Sequence, residues 1–260
     1  MKNIKIIVAT HKKYQMPKED IYLPLHVGSE GKEKLGYKGD NTGENISTKN
    51  PNFCELTGLY WAWKNLDADY IGLVHYRRHF TAKKIIPKKE KFSKVLTGTE
   101  IEEKLEKCDI ILPKKRNYFI ETIYSHYGHT MHIEPLIETG KIIQEKYPEY
   151  YEQFENLKKT TQMHAFNMFI MKKEYLDKYC TWLFDILFEL EKRIDITQYD
   201  AFHARLFGRI SERLLDVWIK TNKLNYEEVK VMDMENINWA KKVTSFLMAK
   251  FMKKKYKKSF

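Results

Sequence analysis

Residues 39–80 read GDNTGENISTKNPNFCELTGLYWAWKNLDADYIGLVHYRRHF. A polar loop, an aromatic helix, an apolar strand and a burst of His and Arg follow one another, in the alternation that marks an α/β protein. Asp40-Asn41-Thr42-Gly43-Glu44-Asn45 is rich in turn formers, and its small residues let backbone approach a ligand. Residues 54–65 carry Leu56, Leu59, Tyr60 and Trp63 at the spacing of a core-facing helical stripe. Residues 70–74 form a nearly continuous apolar run, which predicts a strand buried on both faces. His75, Tyr76, Arg77 and Arg78 then fall at the strand's carboxyl end, where open α/β sheets bind ligands. Two adjacent guanidiniums beside a His predict an anion site, because Arg clamps oxyanions in bidentate fashion.

The rest of the composition agrees with one sizeable core. The chain has 260 residues, 43% of them hydrophobic, which predicts one domain over residues 1–240 with a tail over 241–260. Cys54, Cys108 and Cys180 are far apart, with no CxxC pair, so reduced thiols are expected in place of a disulfide scaffold or a zinc site. Residues 1–4 lead straight into a strand with no signal-peptide pattern, and no apolar run approaches the roughly 20 residues of a membrane span. These features predict a cytoplasmic protein, free or lying on a membrane. Eight of the +11 formal charges are lysines in the last twenty residues, which leaves +3 on the other 240. That balance argues against a nucleic-acid partner for the body and for a basic tail with its own partner.

Outward from the central block, residues 3–10 read as a first strand with a polar exit at His11. Residues 16–39 read as a long loop, and Asp67-Ala68-Asp69 as a helix-to-strand turn. Thr99 followed by Glu102 suggests a capped helix, and residues 109–113 another buried strand. His126, His129 and His132 recur every third residue, so a helix would place them on one side. A metal site, a His-lined acceptor or phosphate pocket, and plain surface histidines all fit this spacing. Residues 164–171 read as a strand containing Asn167. Ser211 reads as an N-cap, with Glu212 in the helix's first turn.

Three motifs carry a resemblance: Asp-Asn-Thr-Gly-Glu-Asn-Ile-Ser (40–47), Glu-Leu-Thr-Gly-Leu-Tyr-Trp-Ala-Trp-Lys-Asn (55–65) and Gly-Leu-Val-His-Tyr-Arg-Arg-His-Phe (72–80). With a likeness running from Ile4 to about Trp218, the chain resembles a bacterial family first catalogued as a domain of unknown function. Its members occur among capsular and exopolysaccharide glycosyltransferases, some of them galactofuranosyltransferases. The resemblance implies a GT-A-like α/β fold, with a central mostly parallel sheet and helices on both faces. It implies a nucleotide-sugar donor, a UDP-sugar by expectation, and a lipid-linked saccharide acceptor at the inner face of the cell membrane. Separately, Val243, Phe246, Leu247 and Lys250 at helical spacing ahead of the all-Lys end predict a tail lying on anionic lipid, with a helix packed on the body as the plainer reading.

On this reading the donor and its diphosphate fall to Thr10, His11, Asp40, Asn41, Asn45, His75, Arg77, Arg78 and Asn167. The acceptor falls to Tyr127, His129 and Asp200, with Glu212 as catalytic base. No metal ligand is assigned, since the position of a metal-binding Asp-x-Asp is taken by the His/Arg burst. Plainer readings stand beside these: the arginines pairing with acids such as Asp109, Asn167 serving a core strand, and Glu212 serving its helix dipole. A non-catalytic carbohydrate-binding or assembly protein of a capsule system is the alternative function.

Overall fold

The structure is a computed structural model, and it describes residues 2–83 and 88–235. The proposed membrane-binding tail lies outside the described residues. In chain order the elements are β1 (Ile4–Thr10), β2 (Tyr22–His26), β3 (Lys38–Gly39), α1 (Asn50–Phe53), α2 (Leu56–Asn65), β4 (Tyr70–His75), β5 (Arg78–Thr81), α3 (Gly98–Leu105) and β6 (Ile110–Pro113). There follow β7 (Arg116–Asn117), α4 (Ile123–Thr130), α5 (Glu134–Lys146), α6 (Pro148–Lys159), β8 (Gln162–Met163), β9 (Phe169–Lys172), α7 (Lys173–Arg193), α8 (Leu206–Thr221) and β10 (Glu227–Asp233). The chain divides into two compact units.

The first unit holds the chain up to Lys114, Phe166–Thr181 and Asn225–Glu235. Its sheet is mixed, which corrects the expectation of a mostly parallel one. β1 pairs parallel with β2 and β4, β2 with β3, and β6 with β10. β9 runs antiparallel to β4 and β6, and β5 antiparallel to β4 and β10. The physical reason is connection length. Only Tyr76 and Arg77 separate β4 from β5, and a parallel crossover needs a dozen residues or more.

Both faces of this sheet are covered. Ile6, Val8, Val74, Phe80 and Ile170 join Ile101 and Leu105 of α3 in one core layer. On the other face α2 approaches through Gly58, where an added Cβ would meet Val27 Cγ1 at 2.8 Å and Leu25 Cδ2 at 3.2 Å. Gly72 keeps β4 free of a side chain between Ile6 and Ile170, whose Cγ1 atoms would lie 3.1 and 3.0 Å from such a Cβ.

Three local readings change. Residues 16–39 are not one loop: they contain β2 and β3, and Pro24 sits in β2 where β3, paired only with Leu25 and His26, does not reach. The capping box of α3 is Thr97 with Glu100, which puts the helix start two residues earlier than Thr99. Residues 164–168 are not strand. Phe166 and Asn167 have φ of 76° and 53°, and two successive left-handed residues cannot continue a pleated ladder.

The second unit holds Lys115–Ala165 and Trp182–Leu224. Here α6 packs on α5, α4 and α8, and β7 pairs antiparallel with β8. α8 begins at Leu206, so Ser211 is a buried interior residue, neither an N-cap nor near one. Its apolar stripe, Ile210, Leu214, Val217 and Trp218, is buried. Asp216 on the same helix accepts from the His164 backbone N–H at 2.9 Å and is bonded to the His164 ring.

Candidate functional site

The first unit gathers polar groups at the carboxyl ends of β1 and β4. Thr10 ends β1 almost fully buried, and its hydroxyl donates to the Lys12 carbonyl at 2.7 Å. Exposed His11 stands edge-on to the Tyr76 ring, with centroids 5.3 Å apart. His75 ends β4, its Nε2 2.6 Å from the Phe166 carbonyl oxygen. Arg78 opens β5, donates from Nε to Asp233 at 3.1 Å and lies 4.3 Å above the Phe166 ring centroid. Arg77, in the two-residue turn, is more open. Its Nη1 is 3.6 Å from Glu235, and its side chain is 35% exposed. The partners of the two arginines are therefore Asp233 at the end of β10 and Glu235 just after it, and not Asp109, which contacts Tyr70 and Lys172.

The loop from Gly39 to Ser47 is built on Asp40. This carboxylate is wholly buried and accepts from the backbone N–H groups of Gly28 at 2.7 Å and Ser29 at 3.1 Å. The hydroxyls of Ser29, Ser47 and Thr57 add three more donors. A buried carboxylate so fully satisfied fixes a loop, and its oxygens have little left for a ligand. Asn41, exposed on that loop, shares the single Ser29 hydroxyl proton with Asp40, its Oδ1 lying 2.8 Å from Ser29 Oγ, and Asn45 bonds the backbone of Gly43 and Ser47. Asn167, buried beside Phe166, donates to Glu55 at the start of α2. His75, Arg78, Phe166 and Asn167 thus form one cluster.

The second unit holds the remaining residues. Glu121, 3% exposed, carries the Nδ1 atoms of two histidines on its two oxygens: His126 at 3.0 Å and His129 at 2.5 Å. Burial pushes His126 down to about 4, against its hydrogen bond to Glu121 and with the positive charges of Arg213 and Arg116. His132 does not join them. α4 ends at Thr130, and His132 stacks on Tyr199 with centroids 4.3 Å apart. Among the described residues no three His, Cys, Asp or Glu side chains converge as ligands for a metal ion. Asp67-Ala68-Asp69 forms the expected turn, with Asp69 accepting from the Asn3 N–H at 2.8 Å.

Asp200 caps the short turn after it, accepting from the N–H groups of Phe202 and His203 and bonding the His203 ring at 2.8 Å. Tyr127 is fully buried beneath the Arg213 guanidinium, 4.6 Å from its ring centroid. Glu212 is the neighbour of Arg213 on α8. Its side chain is 24% exposed and 4.0 Å from Arg213 Nη1. Glu55, Glu121, Arg213, Asp216 and Asp233 escaped the sequence reading. Arg213 and Asp216 carry a visible signal, charges placed inside the apolar run of α8.

With this geometry in place, two comparisons define the class and then the family. The chain is similar to a solved apo structure of WbbM, described as a bifunctional glycosyltransferase: 34% of residues are identical and the TM-score is 0.83. The match covers 90% of this chain and 46% of that one, so the chain spans about half the length of WbbM. The family model described as Domain of unknown function (DUF4422) matches residues 5–223. The chain belongs to that family, which confirms the resemblance carried by the three motifs. No curated protein matches the chain.

Proposed function

We propose that this chain is a glycosyltransferase of GT-A type that moves a sugar from a nucleotide diphosphate donor to a saccharide acceptor. The observation that carries the reading is the match to WbbM, a bifunctional glycosyltransferase, over 90% of the chain. In the transfer, an acceptor hydroxyl attacks the anomeric carbon. The new C–O bond forms as the bond to the diphosphate breaks, the diphosphate leaves with the electron pair, and the hydroxyl proton passes to a base. Arg77 and Arg78 at the β4–β5 turn supply positive charge for the leaving group. Glu212 is the base, a partly buried carboxylate on a helix whose rigidity fixes its direction. Asp200 is less suited, since both its oxygens already accept hydrogen bonds.

The donor is a UDP-sugar, galactofuranose among the candidates, and the acceptor is a lipid-linked saccharide of a capsule, exopolysaccharide or O-antigen. Residues 241–260 bring the enzyme to the anionic inner face of the membrane through lysines worth about 1 kcal/mol each. No helix among the described residues is long and apolar enough to cross a membrane. The test is donor screening, with mass spectrometry of the extended lipid-linked acceptor and thermal shift with UDP and GDP in parallel. A nucleotide-specific rise in melting temperature with mass addition to the acceptor supports the reading. Neither response with any nucleotide sugar would remove it.

A further inference from the structure

The second unit contains a buried cation whose one acid neighbour stands at the limit of ion-pair distance. Arg213 lies inside the buried stripe of α8 with its side chain 6% exposed. Its Nη1 donates to the Arg209 carbonyl at 2.5 Å. The nearest carboxylate oxygen, on Glu212, is 4.0 Å from that same nitrogen and is held by the adjacent residue. Among the described residues, Nε and Nη2 have no hydrogen-bond partner, and Nε is sealed from solvent. Those two N–H groups are the parallel pair on one edge of the guanidinium, the fork that takes two oxygens of one oxyanion.

The surroundings repeat the pattern. Tyr127 packs under the guanidinium, and its hydroxyl is also buried with no partner among the described residues. The buried acids of this unit are committed elsewhere, Glu121 to His126 and His129 and Asp216 to His164. Arg116, whose charge also reaches His126, lies 4.9 Å over the Tyr118 ring and has no ion pair among the described residues. A buried charge left this way is costly in a folded protein unless something pairs with it. Two sealed groups, Arg213 Nε and the Tyr127 hydroxyl, together with the neighbouring Nη2, form a donor set that a ligand supplying acceptors would satisfy.

We propose that the Nε–Nη2 edge of Arg213, with the Tyr127 hydroxyl, is an oxyanion site that takes a phosphate or carboxylate group of a bound ligand. The site is made wholly of second-unit residues and does not depend on the transferase reading. Phosphate and carboxylate offer the fork the same pair of oxygens, so the test separates them.

The full chain, labelled with 15N, is titrated with inorganic phosphate, pyrophosphate and glucuronate. Glucose and sodium chloride at matched ionic strength serve as controls. The expected result is saturable stabilisation by one anion class, a rise of about 5 °C or more at a hundredfold excess over Kd. The Arg213 Nε–H resonance should shift with the same Kd. Arg213→Lys keeps the charge but not the fork, and should weaken that anion about tenfold. Arg213→Met should abolish the response and, without anion, melt no lower than the parent. Stabilisation no greater than that given by chloride would overturn the proposal, as would a parent-like response in Arg213→Lys. If Arg213→Met does not fold, the Lys variant and the resonance shift decide alone. Because no sugar transfer is measured, a missing activity in the donor screen leaves this result unaffected.

Discussion

The Asn167 side-chain amide donates to the Glu55 carboxylate at 2.6 Å, tying together residues 112 positions apart. Asn167 is the second of two left-handed residues that turn the chain into β9, and Glu55 precedes α2. Asn tolerates this backbone region better than residues lacking a short polar side chain. Asn167→Ala should therefore lose both the hydrogen bond and the conformational match, about 2 kcal/mol together. Asn167→Asp should cost more at neutral pH, because it sets a second carboxylate against Glu55. Urea unfolding of both variants checks this, and an Ala variant as stable as the parent would show that the pair holds nothing.

A second knot is His164 with Asp216. Asp216 satisfies both the backbone N–H and the ring of a His that is fully buried. Asp216→Ala strands both groups, and removing one partner of a buried pair typically costs about 3–5 kcal/mol. Asp216→Asn keeps an acceptor for the backbone N–H and should lose about half as much. Equal losses in the two variants would mean that packing, not hydrogen bonding, fixes this position.

The legible part of this protein was local. The apolar runs of β1, β4 and β6 could be read because strands buried on both faces need unbroken hydrophobic sequence. The stripe of α2 could be read because its period is helical. Sheet direction was not legible, since it depends on the two-residue Tyr76–Arg77 turn and on β9, which arrives from a distant part of the chain. Residues 164–168 look like strand by composition, and the left-handed pair at Phe166 and Asn167 leaves no mark in hydropathy. Turn-rich sequence marks Asp40 as part of a ligand loop, and hydropathy gives no sign that its carboxylate is the loop's internal anchor. Glu121 was missed because its two histidines sit five and eight residues onward, and only α4 brings them back to it.

Two buried histidines make stability fall in acid. Burial lowers His126 to about 4 and, with nearby His75 adding to the effect, His79 to about 3, from the usual 6.5. Both are neutral in the fold, so on acidification the unfolded chain takes up the protons first. The stability they contribute is complete above pH 6.5 and is lost as pH falls towards 4 and 3, at about 1.4 kcal/mol per unit for each group. Between pH 7.5 and 5 each should account for about 2 kcal/mol of loss. His79→Leu, compared with the parent by urea unfolding at both values, should lose about 2 kcal/mol less on acidification. An equal loss in both proteins would show that His79 is not a source of the acid sensitivity.

The two arginines of the turn should separate binding from folding. Arg77 is 35% exposed, and its contact with Glu235 at 3.6 Å is a surface ion pair, worth about 1 kcal/mol or less. Arg78 is 15% exposed, bonds Asp233 on β10 and covers the Phe166 ring, so it stitches β5 to β10 and to the turn before β9. Arg77→Ala should leave melting nearly unchanged and slow transfer about 10²-fold, the usual cost of losing one donor to developing charge. Arg78→Ala should slow transfer and also destabilise the fold by about 2–3 kcal/mol. On the proposal that these guanidiniums take the place of a metal, activity of the parent should persist in excess EDTA. Initial rates with a nucleotide-sugar donor, beside urea midpoints for each variant, decide the matter. An Arg77→Ala enzyme within threefold of the parent rate would show that the leaving diphosphate is held elsewhere. Strict dependence on Mg²⁺ or Mn²⁺ would show that the charge comes from a metal.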